Sequence, residues 1–143
     1  MSHFVHPALK AGNTAVITGA SVGGIGYSVA TTLLQEHGFK VHLVDVDTNL
    51  LDKTSVALKE AGIAEDKFEM HLVDVTKADE VFKLADAVYS KDGRIDFLAL
   101  NAGISRTSKD YVKGGDLDSW RTTFDVRLGF WSGERAKAER GAG

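Results

Sequence analysis

The sequence contains no cysteine and only one proline among its 143 residues. Without cysteine the chain has no disulfide bond, thiolate metal ligand or cysteine nucleophile. Seventeen Lys and Arg residues against 20 Asp and Glu residues give a formal net charge of −3. We therefore expect no broad basic surface for a nucleic-acid backbone. No run approaches the roughly 18 apolar residues of a membrane span, and residues 1–10 do not resemble a signal peptide. These absences predict a cytoplasmic protein that binds neither nucleic acid nor membrane.

Short β-branched runs alternate with amphipathic segments along most of the chain. The predicted strands are β1 over 13–18, β2 over 40–46, β3 over 68–75 and β4 over 95–100. The predicted helices are α1 over 25–37, α2 from a cap within 47–49 to 61, α3 from 76 onward and α4 over 117–128. Such alternation predicts right-handed βαβ units. We expect a doubly wound α/β fold whose parallel sheet has the strand order β3-β2-β1-β4.

A glycine-rich turn, TGASVGGIG over residues 18–26, joins β1 directly to α1. Glycines let the backbone come close to a pyrophosphate, and the amino terminus of a helix attracts the anion. No Gly-Lys-Ser/Thr follows, so a nucleotide-triphosphate loop would lack its lysine and its magnesium-binding hydroxyl. The turn therefore predicts a dinucleotide ligand. Its candidate cofactor-binding residues are Gly19, Ser21, Gly23, Gly24, Ile25 and Gly26.

An acidic residue at the end of β2, Asp45, lies 19 positions after Gly26. In dinucleotide-binding folds a carboxylate about 20 positions after the turn accepts hydrogen bonds from the adenosine ribose. A carboxylate there would repel the extra phosphate of NADP, and Val22 in the turn offers no positive charge. We therefore predict NAD rather than NADP. The alternative is that the glycines only close a tight turn and that Asp45 begins a polar loop.

These features resemble the short-chain dehydrogenase/reductase family. The turn is similar to that family's TGxxxGIG loop, with one extra residue before Gly24. Two further motifs resemble the family's adenine-side pair and its NAG motif near the nicotinamide ribose; their residues are Asp74 and Val75, then Asn101, Ala102 and Gly103. The resemblance implies a partial Rossmann-type NAD(P)-binding domain over 13–131, between an amino-terminal tail, 1–12, and a tail over 132–143 that we expect to be disordered.

The resemblance covers about residues 14–126 and corresponds to the amino-terminal part of the family pattern. At 125–129 the chain reads DVRLG, with Arg127 where the family phrase carries asparagine. The family's catalytic serine and Tyr-x-x-x-Lys would follow beyond residue 143, and none of the three tyrosines here precedes a lysine by four residues. We predict no catalytic residue in this sequence. The alcohol or carbonyl substrate that the resemblance implies is expected only for a longer form.

Three interpretations of function remain open from the sequence. The chain is a truncated oxidoreductase relative, a non-catalytic NAD-binding or interaction module, or a splicing or gene-model product. The third follows from Val126-Arg127, whose codons can resemble a splice donor. In the family a further strand pairs with β4, so we expect β4 to be an edge strand here and a possible site of self-association.

The histidines do not form a metal-binding motif in the sequence. His3 and His6 are three residues apart, with no other ligand nearby. His42 and His71 lie in predicted strands, where a hydrogen-bonded structural histidine is the ordinary outcome. The sequence therefore predicts no metal site.

Overall fold

A computed structural model describes residue 6, residues 9–104 and residues 125–126. Its strands are β1 (Thr14–Thr18), β2 (Lys40–Asp45), β3 (Phe68–Leu72) and β4 (Phe97–Ala99). Its helices are α1 (Ile25–Gln35), α2 (Thr48–Glu60) and α3 (Ala78–Asp92), and a short 3-10 helix spans Glu65–Lys67. The predicted α4 and carboxyl-terminal tail lie outside the described residues, apart from residues 125 and 126, which are helical.

The described strands form one parallel sheet in the order β3-β2-β1-β4. This confirms the predicted strand order and the α/β fold class. All five residues of β1 are buried, and so are the four central residues of β2. A parallel strand covered by helices on both faces needs a continuous apolar run rather than an alternating one, which explains these two sequences.

The two faces of the sheet belong to separate hydrophobic clusters. Ala15 and Ile17 of β1 pack on the cluster that includes α1 residues such as Leu33. Val16 belongs to the other cluster, together with Val88 of α3. Successive side chains of a strand point to opposite faces, so α3 covers the face opposite α1. Within the described residues, every helix is too short or too polar to span a lipid bilayer.

The junction between β3 and α3 differs from the prediction. β3 ends before the predicted boundary at 75 because β2 ends at Asp45, whose carbonyl accepts a bond from the Val73 N–H at 2.9 Å. The predicted cap at Thr76 is also wrong. Its N–H and hydroxyl donate to Oδ1 of Asp74, at 3.0 and 2.6 Å. The charged oxygen is the stronger acceptor, and α3 begins only at residue 78.

Candidate functional site

Two glycines of the turn occupy places where a side chain would clash. Gly19 has a φ of +63°, and a Cβ there would lie 2.8 Å from the Cα of Ala102. A Cβ on Gly26 would lie 2.5 Å from the Gly19 carbonyl oxygen and 2.7 Å from Nδ2 of Asn101. The Gly19 N–H also donates to the Val44 carbonyl at 2.8 Å. Close packing against β2 and the chain after β4 therefore requires glycine at both positions.

The residues after β4 hold the glycine turn in place. Nδ2 of Asn101 donates to the Thr18 carbonyl at 3.2 Å and to the Gly19 carbonyl at 2.9 Å. The Ala102 N–H donates to the Thr18 hydroxyl at 3.0 Å. The two predicted motifs, more than 80 residues apart in sequence, therefore form one hydrogen-bonded unit.

The glycine turn, which is one residue longer than the family's TGxxxGIG loop, contacts α2. The Val22 N–H donates to Oγ1 of Thr54 at 2.8 Å, and Thr54 is fully buried. The Thr54 hydroxyl donates in turn to the Leu50 carbonyl at 2.7 Å. Gly23 adopts a φ of +87° with open space around its Cα. The turn is thus hydrogen-bonded to α2 through Val22.

The Asp45 carboxylate lies beside the turn, as predicted from its position. Its Oδ2 accepts from the Ser21 hydroxyl at 2.6 Å, and its Oδ1 accepts from the Val46 N–H at 2.8 Å. An ionised carboxylate has about four acceptor positions, so it can receive a further donor. Asp47 caps α2 by accepting from the Leu50 N–H at 3.2 Å, as the sequence indicated.

Asp74 and Val75 border a recess at the carboxyl ends of β2 and β3, which Asp45 also lines. The Asp74 carboxylate is engaged locally, because its Oδ1 accepts both bonds from Thr76. The Thr76 hydroxyl holds the pKa of Asp74 below its ordinary value. Nζ of Lys77 lies 3.8 Å from Oδ2 of Asp74. Asp74 thus organises the chain before α3 while bordering the recess.

Most of the predicted cofactor residues line a single open groove at the carboxyl ends of β1, β2 and β4. The described lining residues are Gly19, Ser21, Val22, Gly24, Ile25, Asp45, Leu50, Leu100, Asn101, Ala102 and Gly103. Gly23 and Gly26 do not line it. Asp45 is the charged residue in this set, which includes no lysine or arginine. No side chain caps the first turn of α1, so its N–H groups can face an anion.

The family profile described as short chain dehydrogenase matches residues 13–129. The chain belongs to the short-chain dehydrogenase family. The match includes the glycine turn, Asp45 and the residues after β4.

Individual relatives and solved structures resemble the same part of the chain. An uncharacterized oxidoreductase of Staphylococcus saprophyticus is 36% identical over 114 residues, which cover 80% of this chain and 46% of the relative. Zerumbone synthase of Zingiber zerumbet is 32% identical over 82% of this chain and 42% of the relative. A Burkholderia phymatum short-chain dehydrogenase/reductase, solved in complex with NAD, has a TM-score of 0.73 and 30% identity, covering 86% of this chain and 41% of that structure. The chain therefore spans less than half the length of these relatives.

Three residues of the candidate site were not predicted from the sequence. Thr18 joins the two motifs through its hydroxyl, Thr54 accepts a hydrogen bond from the Val22 N–H, and Leu50 lines the groove. For Thr54 the available signal was its position between Leu51 and Leu58 on the buried side of α2. A polar residue at such a position has to find a hydrogen-bond partner, although the sequence does not say which one.

Proposed function

We propose that the chain binds NAD in this groove, as the cofactor-binding part of an oxidoreductase that acts on an alcohol or carbonyl substrate. The observation that carries the proposal is the convergence of the glycine turn, Asp45 and the Asn101–Gly103 segment on one groove. Ligands of open α/β sheets bind at the carboxyl ends of the strands, where this groove lies. The NAD bound to the Burkholderia phymatum relative supports the same ligand class.

The residues present fit the parts of a dinucleotide. The uncapped amino terminus of α1 offers N–H donors and a positive dipole end to the pyrophosphate. Asp45 offers acceptors to the adenosine ribose, and Ser21 orients that carboxylate through its 2.6 Å bond. The mainly apolar recess beside Val75 suits the flat adenine ring. Gly103 and its neighbours after β4 lie on the side we assign to the nicotinamide ribose. The nicotinamide ring would supply hydride transfer when NAD is bound.

Asp45 supports NAD over NADP. Its carboxylate would lie near the ribose hydroxyl that carries the additional phosphate in NADP. Two negative groups in that place would repel each other. Of the described residues that line the groove, none is a lysine or arginine that could offset the repulsion.

We assign no catalytic residue within this sequence and propose residues 13–131 as the extent of the dinucleotide-binding domain. In the family a serine orients the carbonyl and the tyrosine of Tyr-x-x-x-Lys exchanges the proton; neither has a counterpart among the matched motifs. Acid-base catalysis contributes about 100-fold to 10,000-fold to such reactions. We therefore expect cofactor binding without turnover from the 143-residue chain. Its cytoplasmic location remains a prediction.

Titration of the purified chain with NADH and NADPH, followed by fluorescence, tests the proposal. The unmodified chain is expected to bind NADH more tightly. Asp45→Ala should weaken NADH binding by about 10-fold to 100-fold, because a hydrogen bond to a charged acceptor contributes about 1.5–3 kcal/mol. The affinity for NADPH should change less, so the preference for NADH over NADPH should become smaller.

Two matched variants accompany this titration. Asp52→Ala removes an exposed carboxylate from α2 and should leave both affinities unchanged. Ser21→Ala should weaken NADH binding less than Asp45→Ala, because the carboxylate remains and loses only its orienting donor. Tighter NADPH binding by the unmodified chain, or no saturable binding of either cofactor, would contradict the proposal.

A further inference from the structure

A second group of polar side chains lies away from the groove, between the sheet and the carboxyl end of α3. His42 of β2 is paired in register with Glu69 of β3, and His71 lies two residues further along β3. All three side chains therefore project from the same face of the sheet. The side chain of Asp92, the last residue of α3, contacts His42 on this face of the sheet. The hydrogen bonds expected for His42 and His71 are present.

The hydrogen bonds determine which ring nitrogen of His42 carries the proton. Nε2 of His42 lies 2.7 Å from Oδ2 of Asp92, and both side chains are only 3% exposed. Burial by itself raises the pKa of Asp92, but hydrogen bonds from His42 and Lys40 lower it below its ordinary value. Asp92 is therefore an ionised acceptor, and Nε2 of His42 is the donor. Nδ1 of His42 then faces Nε2 of His71, 2.8 Å away.

This orientation is the one that a metal-binding histidine requires. Histidine ligands usually donate their second ring N–H to a carboxylate, which fixes the tautomer and directs the other nitrogen at the metal. Asp92 holds that outer position for His42. Burial, followed by the neighbouring His42, lowers the pKa of His71. The N–H proton of a neutral imidazole can sit on either ring nitrogen, so Nε2 of His71, which faces His42, can serve as a ligand atom.

Glu69 supplies a third donor atom. Its Oε2 lies 3.8 Å from Nδ1 of His42, and one ligand atom from each of His42, Glu69 and His71 lies within 4.8 Å of the others. Two ligands of a tetrahedral zinc ion are roughly 3.3 Å apart when each is about 2.0 Å from the metal. Nδ1 of His42 and Nε2 of His71 are 2.8 Å apart, so they would reach this spacing by separating by about 0.5 Å.

A lysine is the cation now paired with Glu69. Nζ of Lys91 lies 2.5 Å from Oε2 of Glu69. The Lys91 side chain is 60% exposed, so it can swing into solvent without unpacking the core. A metal ion and Lys91 would therefore compete for one carboxylate oxygen.

We propose that Nδ1 of His42, Nε2 of His71 and Oε2 of Glu69 bind one divalent transition-metal ion of the zinc class, with Asp92 as the outer carboxylate. Imidazole and carboxylate ligands suit such ions. Three protein ligands leave a fourth position for water. With the metal bound, the N–H proton of His71 lies on Nδ1 and Lys91 leaves Glu69.

Calorimetric titration of the full chain with Zn²⁺ tests the site, with the change in melting temperature as a second readout. The His3→Gln/His6→Gln background removes the terminal histidine pair as a competing ligand set. In that background one Zn²⁺ per chain is expected. Glu69→Gln and His71→Gln should each weaken binding by at least about tenfold, and Asp92→Asn by about 10-fold to 100-fold. His37→Gln, a histidine outside the cluster, should have no effect.

Lys91→Met distinguishes a metal site from a purely structural network. Removing the competing cation should tighten Zn²⁺ binding several-fold, whereas Lys53→Met on α2 should not. The Lys91, Lys53 and Glu69 variants change partly exposed side chains, so they preserve the fold. The proposal is overturned by absence of saturable Zn²⁺ binding, by unchanged binding in both Glu69→Gln and His71→Gln, or by no gain in Lys91→Met.

Discussion

At the scale of single residues, Asn101 is the side chain that ties the site together. Its amide donates to the carbonyls of Thr18 and Gly19. A carbonyl that loses its donor inside a close-packed turn keeps its desolvation cost without compensation. The shape of the glycine turn thus depends on a residue far away in sequence.

Asn101→Asp is expected to destabilise the fold. The substitution keeps the size of the side chain but replaces its donor with oxygens that face two carbonyl oxygens. We expect the free energy of unfolding to fall by about 1–3 kcal/mol, measured by urea denaturation. Asn49→Asp, in the exposed first turn of α2, is the matched control, since a negative charge there is favourable to the helix dipole. Equal stability of the two variants would contradict the role of Asn101.

At the scale of elements, Asp96, the residue before β4, forms hydrogen bonds with the first residue of β1. The Thr14 N–H donates to Oδ2 of Asp96 at 2.9 Å, and the Asp96 N–H donates to the Thr14 carbonyl at 2.8 Å. Nε of Arg94 donates to the same carboxylate at 2.7 Å. The Arg94 hydrogen bond holds the pKa of Asp96 below its ordinary value.

This lowered pKa predicts a loss of stability in acid. The ionised Asp96 contributes its full stabilisation above its ordinary pKa of about 3.9, and the contribution disappears as the pH falls through the lower folded-state pKa. Asp96→Asn should cost about 0.5–1 kcal/mol at pH 7, since solvent screens the Arg94 pair, and should flatten the stability curve below about pH 4. Urea denaturation at several pH values measures both effects. An unchanged acid slope would contradict this role, with Asp52→Asn as the control.

The elements themselves could largely be predicted because their signals are local. Continuous β-branched runs indicated β1 and β2, and glycine placement indicated where α1 begins. The end of β3 could not be predicted, since it depends on where its neighbour β2 stops supplying hydrogen-bond partners. The predicted cap at Thr76 was wrong for a local reason. Asp74, only two residues earlier, accepts from both the N–H and the hydroxyl of Thr76, and this Asx-type contact competes with a capping box.

The candidate site likewise combines positions that the sequence predicts with contacts that it does not. The position of Asp45 beside the glycine turn could be predicted from its distance to the turn in sequence, since a βαβ unit has a nearly fixed length. Its role toward the cofactor stays a prediction. The Val22–Thr54 bond and the His42–Asp92 bond join residues 32 and 50 positions apart. Such pairs depend on how a helix is rotated over the sheet, which periodicity alone does not specify.

At the scale of the whole molecule, β4 is an edge of the described sheet. It pairs only with β1 among the described strands, and Leu98 within it is 39% exposed. Unpaired backbone groups beside an exposed apolar side chain invite pairing with another chain. We therefore propose that this polypeptide self-associates through β4.

Sedimentation velocity over a range of concentrations measures this self-association. Leu98→Lys should shift the chain toward monomer, because charged side chains at an edge strand oppose strand pairing. Leu72→Lys is the matched control, since Leu72 is an exposed leucine on β3, at the other edge. A stable monomer of the unmodified chain at all concentrations, or an equal effect of the two variants, would contradict association through β4.

Mapping NAD⁺ binding by backbone amide chemical shifts is the most direct test that the groove is a dinucleotide site. The largest shifts are predicted at residues 19–26, 45–46 and 101–103, around the groove. Residues 66–69 and 91–92, which lie near the proposed metal ligands His42, Glu69 and His71, should show little change in chemical shift. Shifts concentrated in that second region, or no shifts at millimolar NAD⁺, would contradict the assignment of the groove as the NAD site.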